Sequence, residues 1–330
     1  MTNTSRGNLI LGPMPRSLDT IDIVVVQMML ADCRRPDIEI AKFLELEEAE
    51  VSRRIASLRE DGIIRNFVAR INPSYLRAVN VFIFGTSEIG SLEEAKDKLS
   101  KNDSSSWVGL AGGSRMYVAA TLRRLMHLDS FVQFLREDVE MKDLTFGIRS
   151  GLPIFHGDKP PLEAVDYRIL SSLRRDARKS LFEVGEEVGL ERATVEARIR
   201  RMRDEGAVEF SIELDPESTS DILCMVHLWR KGRGELKPFM REKLNEHSPR
   251  ILFFNQYRNL TDLTVTMCWV RDMVGLRTIL GSFRQNPDFY HIEANPLITT
   301  GIIEDWADRM IIERSASPTG SSSEGPKEVA

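Results

Sequence analysis

The chain has 330 residues, of which 42% are hydrophobic and 29% are charged, a composition typical of globular proteins. Its net charge of -5 argues against nucleic-acid binding over the whole surface, so any such function must rest on a local basic patch. No apolar run is long enough to span a bilayer, and the three widely spaced cysteines favour neither a disulfide framework nor a zinc ribbon.

Residues 1–17 contain two arginines but no apolar core, so we interpret them as a flexible arm and not as a signal peptide. Together with the cysteine usage, this predicts a cytoplasmic protein that does not associate with membranes.

The first predicted domain, residues 18–73, has the layout of a winged helix-turn-helix. The apolar periodicity predicts helices at 18–31, 37–43 and 47–61 and a strand at 63–71. Pro36 suits the start of the second helix, and Gly62 suits the end of the third. Helical spacing alone fits a small helical bundle equally well.

The second predicted domain, residues 74–150, alternates strands and helices in the order βαββαβ, which is the ferredoxin-like arrangement. Its strands are predicted at 79–86, 107–110, 116–122 and 144–149, and its helices at 91–101 and 128–138.

The same series of domains begins again at residue 162. Residues 18–64 align without a gap on residues 162–208, with identities that include Asp22/Asp166 and Arg54/Arg198. A period of 144 residues is too long for a solenoid unit and therefore indicates two copies of a whole module. The remaining predicted segments are a linker at 151–161, a helix-turn-helix at 162–216, a ferredoxin-like domain at 217–300, a terminal helix at 301–314 and a disordered tail at 315–330.

One motif in this frame is specific. The spacing Leu-x4-Val-x2-Arg-Ile-x2-Leu-x3-Gly-Ile-Ile, which starts at Leu46 and recurs in register from Leu190, resembles the DNA-binding module of the Lrp/AsnC (leucine-responsive, or feast/famine) regulators. The segments that follow resemble the RAM domain of the same family. The resemblance implies an α+β fold with two tandem units and a function in sequence-specific DNA binding and transcription regulation. It implies no cofactor and no metal.

In this family the third helix of each module is expected to enter the major groove. The predicted DNA contacts are Arg34, Arg35, Ser52, Arg53, Ser57 and Arg59 in the first copy, and Arg178, Lys179, Arg192, Thr194, Arg200, Arg201 and Arg203 in the second. For each arginine the alternative is a solvated helix face. Arg54 and Arg198 are expected to be structural partners of Asp22 and Asp166. Because the second copy is more basic, we expect it to contribute most of the non-specific affinity.

The turn between the second and third strands of the RAM domain commonly reads Gly-x-x-Asp in this family and lines a pocket for an effector such as an amino acid. The corresponding candidates are Gly113 and Ser114 in the first copy and Asn259 and Asp262 in the second. A plain hairpin turn is the alternative at both places.

Two other functions stay open. Siroheme decarboxylases share this two-part architecture, but their His-Asn-Tyr-x-Arg-like run has only Phe254-Asn255-Gln256-Tyr257-Arg258 as its nearest counterpart, without the histidine. The acidic start of the first reading helix also fits an interaction protein whose modules no longer bind DNA.

The expected partner is double-stranded DNA. The RAM-like domains are expected to pair, either within one chain as a pseudo-dimer or between chains as a homo-oligomer. Because the two reading helices differ in sequence, we expect an asymmetric operator.

Overall fold

The computed structural model describes residues 15–149, 161–231 and 237–316. Most of the predicted arm, linker and disordered tail therefore lies outside the described residues, at positions 1–14, 151–160 and 317–330. Within the described ranges, no helix has the length and apolar character needed to cross a membrane.

The first copy begins with a winged helix-turn-helix, called the first module below, and continues with the first ferredoxin-like unit. The module comprises α1 (Thr20–Ala31), α2 (Asp37–Leu44), α3 (Glu48–Glu60) and β1 (Ile64–Ile71). The unit comprises β2 (Val79–Thr86), α4 (Leu92–Leu99), β3 (Ser105–Ala111), β4 (Arg115–Leu122), α5 (Leu128–Glu137) and β5 (Lys142–Ile148).

The second copy repeats this series as the second module and the second ferredoxin-like unit. The module comprises α6 (Ala164–Leu173), α7 (Leu181–Val188), α8 (Arg192–Asp204) and β6 (Val208–Leu214). The unit comprises β7 (Ile222–Arg230), α9 (Lys237–Glu246), β8 (Ile251–Gln256), β9 (Leu263–Val270), α10 (Met273–Arg284) and β10 (Phe289–Ile302), and the terminal helix α11 (Trp306–Ala316) follows.

The two ferredoxin-like units form one continuous sheet. Its strand order in the described part of the chain is β5-β2-β4-β3-β10-β7-β9-β8, so each half has the ferredoxin-like order. Strand β10 makes the connection, because its first part pairs with β7 and its last part, from Leu297 to Ile302, pairs with β3. The predicted α+β class with two tandem units is confirmed.

The two outer edges of this sheet also meet. Arg149, next to β5, forms an isolated antiparallel bridge with Tyr257, next to β8, and the backbone N–H of Arg258 donates to the carbonyl of Ile148 at 2.9 Å. The faces of the two halves thus lie against each other. Phe84 of the first half packs on His227 of the second, with ring centroids 4.4 Å apart.

Side chains of opposite parity on the same strands build separate cores under the helices. In the first unit, Ile83 on β2 packs with Phe131 of α5, and in the second unit Val226 on β7 packs with Ile279 of α10. This alternation follows from the period of two in a strand.

The two modules are joined through their wings. Strands β1 and β6 pair antiparallel as a two-stranded sheet, called the wing ribbon below, in which Phe67 faces Ile212 and Ala69 faces Phe210. Helix α11 packs on α6 and β1, and buries Ile311 completely.

Three predicted boundaries differ from the structure. Arg16, assigned to the flexible arm, is held by ion pairs with Asp22 and Asp61. Strand β10 continues beyond residue 300 because it extends to pair with β3. Ser315 and Ala316, assigned to the disordered tail, are the last residues of α11.

Candidate nucleic-acid interface

Helices α3 and α8 are the candidate reading helices, and each presents one apolar stripe to its module. Val51, Ile55 and Leu58 are buried on α3, and the aligned residues of α8 are buried in the same way. Each helix ends before a glycine with positive φ, Gly62 at +77° and Gly206 at +65°, a conformation that a residue without a Cβ adopts at no steric cost.

A buried aspartate holds each reading helix in place. The Arg54 guanidinium donates to Asp22 at 2.7 Å, and the Arg198 guanidinium lies 3.4 Å from Asp166. Both aspartates lie in the first turn of the first helix of their module and are at most 2% exposed. The predicted structural role of these two arginines is therefore confirmed.

A second arginine completes each of these clusters, but it comes from a different part of the chain in each module. Arg201, on α8, is ion-paired with Asp166, and its side chain is only 29% exposed. The aligned residue of the first module is Ser57, and there Arg16 contacts Asp22 instead, at 2.8 Å. The Arg201 guanidinium is thus directed to the module interior and not outward.

Arg34 and Arg178, at equivalent positions in the two copies, lie between the modules. The Arg34 guanidinium donates to the carbonyls of Ala177 at 2.5 Å and of Lys179 at 3.1 Å. Burial lowers the pKa of Arg34. Arg178 donates to the Asp37 carboxylate at 2.6 Å and lies 5.6 Å from the centre of the Phe67 ring. The structure therefore engages both arginines in contacts between the modules.

The other predicted residues of α3 have partners in the first module. The Ser52 hydroxyl donates to Asp37 at 2.6 Å, and the Ser57 hydroxyl donates to Asp61 at 3.3 Å. Arg53 is ion-paired with Glu50 on the same helix. Arg59 lies over the ring of Phe67 at 5.5 Å.

The side chains on the outer face of α8 have fewer hydrogen-bond and ion-pair partners than those of α3. Within the described residues, the side chains of Arg192 and Thr194 form no hydrogen bond or ion pair, and both are exposed. Arg200 is 68% exposed and pairs only with Glu196, one turn away on α8, at 2.9 Å. These three residues form an exposed polar surface, which we call the α8 face.

The remaining predicted contacts lie beside the reading helices. Arg203 is 43% exposed, and its guanidinium is 3.3 Å from Asp32 of the first module. Lys179 pairs with Glu187 at 2.7 Å, and Arg35 is half-buried. These residues are therefore not part of the α8 face.

The candidate effector turn of the first unit lines a small pocket of about 490 Å³, which also contains Ile298 and Thr299 of β10. Gly113 and Ser114 both have positive φ, at +69° and +60°. This pocket therefore lies where the first unit meets the connecting strand from the second.

The turn of the second unit is placed differently. The Asn259 side chain accepts from the backbone N–H of Ile148 at 2.7 Å and donates to the carbonyl of Phe146 at 2.8 Å. It therefore extends the seam, which is the contact between the sheet edges at β5 and β8. The Asp262 carbonyl accepts from the backbone N–H of Arg230 at 2.9 Å. The two turns are not brought together into one site.

A larger cleft of about 1730 Å³ lies between the wing ribbon and the two ferredoxin-like units, and part of the run 254–258 lines it. Its apolar wall includes Phe82, Trp107, Leu223, Met225, Phe253 and Met267. Five arginines also line it, including Arg70 and Arg77. In the other three, Arg149 after β5, Arg241 on α9 and Arg258 after β8, the guanidinium group forms no hydrogen bond or ion pair within the described residues. Glu209 lies there too, and burial raises the pKa of its carboxyl group.

The sequence singled out the run 254–258, which lines part of this cleft, but it did not indicate the cleft itself, because the arginines come from separate elements. Arg149 and Arg258 are brought together only by the backbone pairing at the seam between β5 and β8. No local spacing in the sequence signals that contact. Among the described residues, no group of histidine, cysteine and carboxylate side chains is arranged to hold a metal ion.

Fold and site together define a winged helix-turn-helix protein with two modules in one chain. The AsnC-type helix-turn-helix domain family matches residues 162–203, which lie in the second module. The transcriptional regulator LrpA of Pyrococcus horikoshii is 32% identical over 108 residues, 32% of this chain and 77% of LrpA. The transcriptional regulator Ptr1 of Methanocaldococcus jannaschii is 32% identical over 123 residues, 37% of this chain and 82% of Ptr1. The chain belongs to the Lrp/AsnC family.

Among solved structures, the siroheme decarboxylase NirDL has a similar fold over most of its length. The TM-score is 0.56 at 12% identity, covering 89% of this chain and 98% of NirDL. A second structure of NirDL, in complex with an iron-uroporphyrin III analogue, gives a TM-score of 0.55 at 12% identity over 90% of this chain and 97% of NirDL. At this identity the similarity concerns the fold alone.

Proposed function

We propose that the protein is a cytoplasmic DNA-binding transcriptional regulator. The observation that carries this proposal is the exposed α8 face on a reading helix of a module that matches the AsnC-type family. The similar LrpA and Ptr1 proteins are named as transcriptional regulators. A helix with exposed arginine and hydroxyl donors on its outer face has the chemistry to reach phosphates and base edges in the major groove.

The proposed DNA contacts on α8 are Arg192, Thr194 and Arg200, with Arg203 near the end of the helix. Arg35 and Lys179 precede α2 and α7 and are proposed as backbone contacts. Arg34 and Arg178 are proposed to act indirectly, since they hold the modules together. Arg201 would have to leave the buried Asp166 to reach a phosphate, which disfavours a direct contact.

Selection of binding sites from random DNA with the purified protein tests this function. We expect enrichment of a short sequence and binding that weakens as salt is raised. Replacing Arg192 and Arg200 by alanine should flatten the slope of log affinity against log salt by about 0.9 for each phosphate that is no longer neutralised. Failure to enrich any sequence, together with an unchanged slope in the variants, would contradict the proposal.

The pocket beside Gly113 and Ser114 is the proposed place for a small effector such as an amino acid. Its size and its position between the two units support this proposal. Calorimetric titration with amino acids should give heat that disappears in Ile298→Trp, because Ile298 lines the pocket and is 59% exposed. The absence of heat with every amino acid would contradict it.

A second candidate function, tetrapyrrole binding and decarboxylation, is favoured by the cleft. Three arginines that form no hydrogen bond or ion pair within the described ranges lie beside an apolar wall, and such a site suits a large molecule with an apolar body and several carboxylates. Mixing the protein with iron uroporphyrin should then shift the porphyrin absorbance band. The double variant Arg149→Ala/Arg258→Ala should abolish the shift, while Arg136→Ala on the outer helix α5 should keep it. An unshifted band with the native protein would exclude this candidate.

A further inference from the structure

We propose that only the second module reads the base sequence of DNA and that the first module serves as its support, with Arg35 contacting only the phosphate backbone. This inference rests on the proposed regulatory function and assigns unequal roles to the two helix-turn-helix copies. It is carried by the charge of the two reading helices, by the partners of their outer side chains and by the contact between the modules.

The two reading helices differ most at the end that enters the groove. In helix-turn-helix complexes the N-terminal residues of the recognition helix contact base edges. The start of α3 carries Glu47, Glu48 and Glu50. At the positions aligned with Glu48 and Glu50, α8 carries Arg192 and Thr194. Carboxylates at this end of α3 would face the DNA phosphates, and like charges repel.

The difference extends over the whole helix. Helix α3 contains three acidic and three basic side chains, whereas α8 contains five arginines and two acidic side chains. Two of those arginines, Arg198 and Arg201, are bound to the module's own Asp166, which leaves the α8 face as the basic surface.

The donors on the outer face of α3 are also engaged. Ser52 donates to Asp37, and Arg53 is ion-paired with Glu50. Reaching DNA would require both side chains to release a carboxylate and to leave it beside the phosphates. On the α8 face, Arg192 and Thr194 need release no partner among the described residues.

Asp37 connects this asymmetry to the module contact. One of its carboxylate oxygens accepts from Ser52 and the other accepts from Arg178 of the second module. The residue aligned with Asp37 in the second module is Leu181, whose side chain cannot accept a hydrogen bond. The Asp37 carboxylate therefore binds Ser52, which would otherwise be available to contact DNA, and it also binds Arg178 of the second module. This is the arrangement expected of a support.

Paired variants on the DNA sequence selected by the native protein test the inference. The second-module variants are Arg192→Ala and Thr194→Ala, and the matched first-module variants are Ser52→Ala and Arg53→Ala. Removal of a base or phosphate contact on α8 should weaken binding by about tenfold. The first-module variants should stay within about twofold of the native affinity. All four side chains are exposed, and thermal unfolding of each variant verifies that it is folded.

The result separates the inference from the proposed function. An equal drop in affinity in the variants of both modules would overturn the division of roles and leave the regulatory function intact. If the native protein selects no sequence, both fail. Two chains that pair their second modules on a palindrome would still satisfy the inference, because the first-module variants would bind DNA with the native affinity.

Discussion

At the scale of single residues, equivalent positions of the two copies have acquired different partners. Arg34 and Arg178 are aligned, and each lies over a phenylalanine ring of the wing ribbon. The Arg34 guanidinium binds backbone carbonyls, however, whereas the Arg178 guanidinium binds the Asp37 carboxylate. A hydrogen bond to a charged group contributes more than a neutral one, and removal of one partner leaves the other unsatisfied. Arg178 is thus a determinant of how the modules sit together.

Replacing Arg178 by alanine should lower the free energy of unfolding by about 2 kcal/mol, because Asp37 loses its charged donor. Urea unfolding at neutral pH measures this change. Arg35→Ala is the control, since the Arg35 side chain forms no hydrogen bond within the described residues, and it should stay within about 0.5 kcal/mol of the native protein. Equal stability of the two variants would contradict the assignment.

His227 is a second residue whose environment should affect stability in a measurable way, through the pH dependence of unfolding. It is fully buried between the two halves of the sheet, where its Nε2 lies 3.0 Å from the Tyr117 hydroxyl and its Nδ1 lies 3.7 Å from Glu293. Burial lowers the pKa of His227 to about 4, against the attraction of Glu293, while Arg115 and His291 also lower it. The folded protein therefore holds this imidazole neutral at neutral pH.

The sign of the pH dependence follows from this shift. Between pH 6.5 and about 4 the unfolded chain protonates His227 while the folded chain does not, so stability falls as the pH is lowered through this window. The decrease should be on the order of 3 kcal/mol at the acid end. Urea unfolding at several pH values should show a shallower dependence for His227→Gln than for the native protein. The exposed His127→Gln is the control, because His127 does not act on the pKa of His227. A native-like slope in His227→Gln would refute the prediction.

At the scale of elements, α11 and β10 fix the modules relative to the sheet. Helix α11 ties β1 of the first module through Arg70, which is ion-paired with Asp308. It also ties α6 of the second module, where Arg314 donates to the Tyr167 hydroxyl at 3.0 Å. One terminal helix therefore contacts both modules, and its packing contributes to the stability of the whole protein.

Neighbouring residues of α11 offer a matched test of this packing. Ile311 is 0% exposed and Ile312 is 40% exposed. Ile311→Ala should lower the free energy of unfolding by about 3 kcal/mol through reduced burial and the cavity left behind. Ile312→Ala should change it by about 0.5 kcal/mol or less. Chemical denaturation of both variants measures these changes. Similar decreases in the free energy of unfolding would mean that α11 is only loosely packed.

At the scale of the whole molecule, two copies of one unit have become a single pseudo-symmetric body. The β3–β10 pairing, the wing ribbon and the shared core between the sheet halves are all contacts between the copies. None of these contacts depends on the covalent connection between residues 149 and 161. The copies should therefore hold together without it.

Cutting the chain at a protease site inserted between residues 150 and 160 tests this expectation. The two fragments should remain associated and elute together in size-exclusion chromatography, because the paired strands and apolar core are retained. A native protein carrying the uncut site is the control. Elution as two separate fragments would show that the linker, and not the interface, maintains the pair.

The sequence by itself determined the elements and their family. The positions of β2, α2 and β4 were predicted within a residue or two, because apolar periodicity and turn residues act over a few positions. The 144-residue repeat determined that there are two copies, and the motif from Leu46 determined the family, which LrpA and Ptr1 confirm. The pairing of Arg54 with Asp22 was also predicted, since both lie in one module.

Only the tertiary structure decided the partners of the side chains. Arg34 bonds to a carbonyl 143 residues away, and Arg149 meets Arg258 only where two sheet edges close. Local spacing cannot specify such contacts, because they depend on how complete units dock and not on the period of a helix or strand. For the same reason the sequence could identify arginines with the chemistry for DNA. Docking decided that Arg34 and Arg178 join the modules and that Arg192 and Arg200 remain exposed.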